Sequence, residues 1–295
     1  MGYLNSALSW RDDLPDLPPP HLLLAAGLVL LAALALVARW GIGHPDRMLA
    51  PVHRLRTRSA VARLEHRYAR QLRFLAERMR PKSSAALILM AALGAVALLV
   101  GTLTEITEDV VTGDELVRVD SPVFNYFVEN REPWLTTTMG LITHLGSTVV
   151  LVPMLLAVGL VARRRRHTWA PMVFLAVTLG GATLTSTVIK VVIARSRPPS
   201  EALVDALGYA FPSGHSTAAA AGWLAAAAVL AWLTRSLTVQ INLIAAALGI
   251  AVLVGISRIY LGVHAPTDVL AGWALGALWL AATLTVTHLL ILGKR

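Results

Sequence analysis

The sequence predicts an all-α membrane protein, and three observations carry that expectation. Hydrophobic residues make up 56% of the 295 positions and charged residues only 15%, where a soluble domain carries about a quarter charged residues. Apolar runs recur that are long enough to cross about 30 Å of hydrocarbon, which takes roughly 20 residues each. Such runs must fold as helices, because in lipid a helix satisfies its own backbone hydrogen bonds. The formal charge of +9 comes from arginines clustered beside the apolar runs, so anionic headgroups rather than nucleic acid are the expected partner. The chain has no cysteine, which excludes disulfides, thiolate metal sites and cysteine nucleophiles.

The first apolar run, 22–38, follows Asp12, Asp13 and Asp16 and has no convincing cleavage site after it. It reads as an anchor within an N-terminal segment, 1–40. Segment 41–83 holds ten arginines and Lys82, with Val61, Leu64, Tyr68, Leu72, Leu75 and Met79 at steps of three and four. That pattern predicts a basic amphipathic helix lying in the interface. Further runs at 84–104, 140–162, 168–194, 216–233, 239–256 and 269–292 bring the candidate spans to seven. Segment 105–139, with Glu105, Glu108, Asp109, Glu115 and Asp120, reads as a loop. Arg163–Arg166, Arg235 and Lys294–Arg295 fall on one side by alternation, so the N-terminus is expected outside and the C-terminus in the cytoplasm. Trp40, Trp134, Trp169 and Trp232 sit near span ends as interfacial anchors, and Gly272-x-x-x-Gly276 permits close helix packing.

Three segments break the apolar background with residues that are expensive in a membrane. They are Lys190–Pro198 with Arg195 and Arg197, Pro212-Ser213-Gly214-His215, and Ser257–Asp268 with Arg258 and His264. The topology places all three at the outer ends of their spans, and charges converging at one depth predict a site. Lys190 and Arg197 are seven apart and share a face if the helix continues to Arg197. Two such cations suit a phosphate dianion, and Arg258 would add an arginine fork. Ser213 and Gly214 open a helix whose N-terminus favours an anion, although Ser213 also fits a plain N-cap. His264 and Asp268, with Pro266 between them, belong to a loop-to-helix junction. There an aspartate can fix the tautomer of a histidine and leave its other nitrogen free. Arg195 could add positive field or face headgroups, and His144 and His288 read as packed or interfacial residues.

These segments match, at every fixed position, the pattern KxxxxxxRP, PSGH and SRxxxxxHxxxD of the type 2 phosphatidic acid phosphatase (PAP2) superfamily. The resemblance covers roughly 84–292. It implies a six-helix PAP2-like core (84–295), with the first span and its linker as additions. It further implies His264 as nucleophile, Asp268 as its orienting partner and His215 as general acid. Lys190, Arg197, Ser213, Gly214 and Arg258 would bind the phosphate. No cofactor or metal is expected: Glu201, Asp205 and Asp268 are too few and too mixed with cations for a two-metal site.

The expected function is hydrolysis of a lipid phosphate or diphosphate through a phosphohistidine at the outer face of a plasma membrane. Undecaprenyl or another polyprenyl diphosphate is the favoured substrate, with Tyr209, Phe211 and Tyr260 expected to flank its chain. Phosphatidylglycerol phosphate, phosphatidate or a polyprenyl phosphosugar would fit the same motifs. A transporter or flippase that binds a phosphate headgroup without cleaving it is the non-enzymatic rival. The paired His264 and Asp268 argue against it, because binding alone needs no oriented nucleophile.

Overall fold

The computed structural model describes residues 84–198, 202–204 and 208–292. The first span, the arginine-rich linker, Glu201, Asp205 and the Lys294–Arg295 tail lie outside them. Within the described residues the fold is helical: α1 Ser84–Thr112, α2 Glu115–Glu129, α3 Pro133–Thr143, α4 Thr148–Arg166, α5 Ala170–Ile193, α6 Gly214–Trp232, α7 Leu237–Tyr260 and α8 Pro266–Leu292. A 3₁₀ turn, His144–Gly146, joins α3 to α4.

By length and composition α1, α5, α6, α7 and α8 can each cross a membrane, and α3 with α4, bent by 51°, passes the same test only as a pair, either as a broken span or as a re-entrant loop. The bend falls where the 3₁₀ turn hands over to Ser147, in extended conformation as the N-cap of α4. Counting that pair as one span gives the six of the expected core; without it the described residues hold five. Where sequence and structure part is the segment read as a loop at 105–139. Helix α1 runs on to Thr112, because Glu105 and Glu108 are exposed and interrupt no buried face. Beyond it α2 is amphipathic and buries Asp120 and Phe124. Phe124 packs on Ile259 and Val269 beside Phe127 and Val128.

Helix α6 is the axis of the bundle, contacting α4, α5, α7 and α8. Its face is built from alanines such as Ala218, Ala219, Ala221 and Ala225, all buried. Small side chains let backbones approach where lipid gives no hydrophobic push between helices. The pair Gly272 and Gly276 of α8 faces this surface. A Cβ on Gly272 would lie 2.7 Å from Ser213 O, and one on Gly276 would lie 2.6 Å from Thr217 O and 2.7 Å from Ala220 Cβ. The large exposed apolar side chains, among them Leu98, Val149, Leu184 and Val192, lie on the outer helices, where lipid is their solvent.

The close approach of α8 to α6 makes Gly276→Val a test of the packing. The β-branched side chain would meet the backbone of α6, and overpacking of this kind costs about 1–3 kcal/mol. A clear drop in the thermal midpoint of the purified protein in detergent is expected. An unchanged midpoint would show that the helices are free to part.

Candidate active site

Each of the three polar segments lies where a helix ends, and all three ends meet. Helix α5 stops at Ile193 because Ala194 takes a left-handed conformation, φ 50°, as its C-cap. The helix therefore does not reach Arg197, and the shared helical face considered for Lys190 and Arg197 does not form. The two cations meet through the following loop instead. Lys190 Nζ donates to Tyr209 O at 2.8 Å and Ala210 O at 3.2 Å. Arg197 donates from Nε to Gly208 O at 3.1 Å and from Nη1 to Val263 O at 2.7 Å.

Helix α6 starts at Gly214 with Ser213 as its N-cap, the Ser213 hydroxyl accepting from Ser216 N at 3.5 Å and from Ser216 Oγ at 2.9 Å. The Ser213 N–H donates to the carbonyl of Asp268 at 2.8 Å, which joins this turn to α8. Lys190 lies beside the helix start, its Cε 3.8 Å from where a Gly214 Cβ would be. His215, half-buried in the first turn of α6, backs onto the 3₁₀ turn. A Cβ on Gly146 would come within 2.9 Å of His215 O. His144 in that turn is exposed, in keeping with an interfacial residue.

Arg258, in the last turn of α7, is 4% exposed and donates from Nη1 to Thr143 Oγ1 at 2.8 Å. Its Nε is buried and has no hydrogen-bond partner among the described residues. A buried donor left open is costly, and an anionic oxygen would satisfy it.

His264 and Asp268 straddle the start of α8, as the proline between them requires. Asp268 Oδ2 accepts from Ala265 N at 2.9 Å, closing the helix N-terminus from its third residue in the manner of a capping box. The same oxygen lies 3.3 Å from His264 Nδ1. His264 Nε2 is then the nitrogen that carries the lone pair, and Arg197 Nη1 lies against it at 3.4 Å. His264 is 2% exposed. Burial, reinforced by Arg258 and Lys190 and opposed by Asp268, pushes its pKa down to about 4. The imidazole is thus neutral around pH 7 and its Nε2 holds a lone pair, the state a nucleophile needs.

Sequence reasoning left three members of this region unassigned. Arg195 donates from Nη1 to Asp268 Oδ1 at 2.7 Å and from Nη2 to Asp120 Oδ2 at 2.7 Å. It does not face headgroups. Burial disfavours its charge, but the two carboxylates outweigh that and hold its pKa above the ordinary value. Asp120 also accepts from Thr267 N at 2.9 Å and Thr267 Oγ1 at 2.6 Å. A polar cavity of about 370 Å³, lined by Asp120, Ser121, Asn125, Arg195, Arg197 and Ala265 among others, adjoins this cluster. Two expected neighbours are absent from the chain-flanking role. Phe211 and Tyr260 are 0% exposed, packed inward, with the Tyr260 hydroxyl accepting from Glu132 N at 2.8 Å. Tyr209 alone of the three is exposed.

Comparison with known proteins gives a consistent picture. The family model described as PAP2 superfamily matches residues 171–291. The chain is 42% identical over 149 residues to phosphatidylglycerophosphatase B of Bacillus subtilis, covering 50% of this chain and 73% of that protein. It is 31% identical over 180 residues to an undecaprenyl-diphosphatase of Sulfolobus acidocaldarius, covering 57% and 78%. The crystal structure of a transmembrane PAP2 type phosphatidylglycerolphosphate phosphatase from Bacillus subtilis superposes with a TM-score of 0.61 at 34% identity, over 65% of this chain and 95% of that one.

Proposed function

Since the chain belongs to the PAP2 superfamily and is a lipid phosphatase of the membrane, we propose that it removes a terminal phosphate from a lipid headgroup through a phosphohistidine on His264. The observation that carries this reading is the His264–Asp268 contact at 3.3 Å, with Nε2 turned toward Arg197. Nε2 attacks phosphorus while the bond to the leaving oxygen breaks, and His215 protonates that oxygen. His215 then takes a proton from water, the water oxygen attacks phosphorus, and the P–N bond breaks to release phosphate and free His264. Lys190, Arg197, Arg258 and the N-terminus of α6 stabilise the charge on the phosphoryl oxygens throughout. Asp268 fixes the tautomer.

His264→Ala is expected to abolish turnover together with any acid-labile phosphoenzyme. His215→Ala should spare aryl phosphates, whose leaving oxygen needs no proton, far more than lipid substrates. Phosphate trapped on another residue of the active protein would sink the assignment.

The substrate proposed first is a polyprenyl diphosphate such as undecaprenyl diphosphate, and the Sulfolobus acidocaldarius relative bearing that activity in its name supports it. Phosphatidylglycerol phosphate is the second reading, favoured by the higher identity to phosphatidylglycerophosphatase B. With EDTA present and detergent ratio matched, purified protein should release phosphate faster from undecaprenyl diphosphate than from phosphatidylglycerol phosphate or phosphatidate. The reverse order would transfer the assignment to the glycerophospholipid.

We also propose that the site faces the outside of the cell. Arg163–Arg166 end α4, and Arg166 donates to Trp232 O at the far end of α6 from Gly214. Nineteen helical residues, about 28 Å, separate that end from the site. By the positive-inside rule the arginines are cytoplasmic. In intact cells an impermeant thiol reagent should label Leu203→Cys and leave Arg164→Cys untouched; the opposite pattern would invert the topology.

A further inference from the structure

Among the described residues four cations surround the site, and Arg195 is the one that bridges the two carboxylates Asp120 and Asp268. Lys190 and Arg197 donate to backbone carbonyls, and Arg258 donates to a threonine hydroxyl. Carbonyl and hydroxyl oxygens orient a cation without neutralising it. Arg195 instead spans two carboxylates, Asp268 Oδ1 and Asp120 Oδ2, each at 2.7 Å. A guanidinium with both terminal nitrogens committed to carboxylates is poorly placed to serve a phosphate as well. Each carboxylate receives one bond from a different terminal nitrogen, so the rigid guanidinium sets the direction from which each is held.

The grip has a direction. With Oδ1 of Asp268 taken by Arg195, Oδ2 is the oxygen presented to Ala265 N and to Nδ1 of His264. Arg195 is itself set by Asp120, which is locked onto α8 by the amide and hydroxyl of Thr267. Asp120 is 5% exposed and Asp268 0%. Carboxylates at that depth must be paired to stay ionised.

We propose that Arg195, clamped by Asp120 of α2, is a positioning residue for the nucleophile. It holds Asp268 so that Oδ2 faces His264, and thereby sets the tautomer and aim of Nε2 from a variable position of the first motif. The inference rests on His264 being the nucleophile. A bond that only tied α2 to α8 would affect stability and leave the chemistry of the folded protein alone. An Arg195 that bound substrate phosphate would act on KM.

The test compares purified wild type, Arg195→Ala, Arg195→Lys, Asp120→Asn and His264→Ala. The measurements are steady-state kinetics on a lipid phosphate, the single-turnover rate of phosphoenzyme formation and the thermal midpoint. Positioning predicts that kcat and the phosphoenzyme rate of Arg195→Ala fall together by about 10–100-fold, the range for loss of a supporting partner, with KM nearly unchanged. Arg195→Lys should recover part of the rate. The cavity of about 370 Å³ beside Asp120 and Arg195 gives millimolar guanidinium access to the vacated position. It should restore Arg195→Ala and do nothing for His264→Ala. If Arg195→Ala does not fold, Asp120→Asn carries the same test, because it removes the charge on which Arg195 rests while keeping an acceptor for Thr267 N–H. A normal kcat with a lowered midpoint, or a raised KM with kcat intact, beside an inactive His264→Ala, overturns the inference alone. An active His264→Ala overturns the nucleophile assignment and this inference with it.

Discussion

A carboxylate sealed inside a membrane bundle stays ionised only if its oxygens are met by donors, and the fold around Asp268 is arranged to meet them. Its Oδ2 receives Ala265 N and lies against His264 Nδ1, its Oδ1 receives Arg195, and its backbone carbonyl receives Ser213 N. Those bonds draw together the start of α8, the turn before α6 and the stretch after α5. Through Arg195 and Asp120 they also draw in α2. The residue we propose as the orienting partner of the nucleophile is thus also the residue that docks the helix ends, so the geometry of the site cannot drift without breaking buried bonds.

That docking needs helices that approach closely below it. The alanine face of α6 and the glycines of α8 provide this, since Gly272 and Gly276 leave no room for a Cβ against α6. Polar groups along the spans are spent locally: Thr183 and Thr187 bond back to carbonyls of their own helix, and Thr178 pairs with Thr283 between α5 and α8 at 2.8 Å. The motif cations sit at helix ends, where the backbone leaves its regular ladder and carbonyls such as Gly208 O, Tyr209 O and Val263 O become available to hold them.

The motif residues were legible because their types and spacing are unusual in apolar sequence, and the structure brings Lys190, Arg197, Ser213, Gly214, His215, Arg258, His264 and Asp268 to one end of the bundle. Element limits were less so. Helix α7 continues to Tyr260 and α8 begins at Pro266, beyond the apolar runs at 239–256 and 269–292, because the terminal turns carry the polar residues. Helix α2 was hidden by its charges, although Asp120, Phe124 and Phe127 follow helical spacing. Arg195 could not be assigned because its partner Asp120 lies 75 residues away in a segment read as loop. Phe211 and Tyr260 misled for a related reason: nearness to a motif in sequence does not fix which way a side chain turns.

The charge balance of the finished cluster fits the positioning role proposed for Arg195. Lys190, Arg195, Arg197 and Arg258 contribute four positive charges, and Asp120 and Asp268 two negative ones, so the six groups together carry +2. Arg195 and the two carboxylates form a unit of charge −1 that is closed by its own hydrogen bonds. Lys190 and Arg258 are held by carbonyl and hydroxyl oxygens, which leave their field for an incoming group. A phosphate monoester dianion matches the remaining +2 in magnitude, and in a low-dielectric site that complementarity is stronger than in water. Had Asp268 been paired with Lys190, Arg197 or Arg258 instead, orienting the histidine would have consumed part of the attraction that binds the phosphate. On the proposed roles, pairing Asp268 with Arg195 separates the two tasks, and the second carboxylate on that arginine, Asp120, comes from α2, outside the three motif segments.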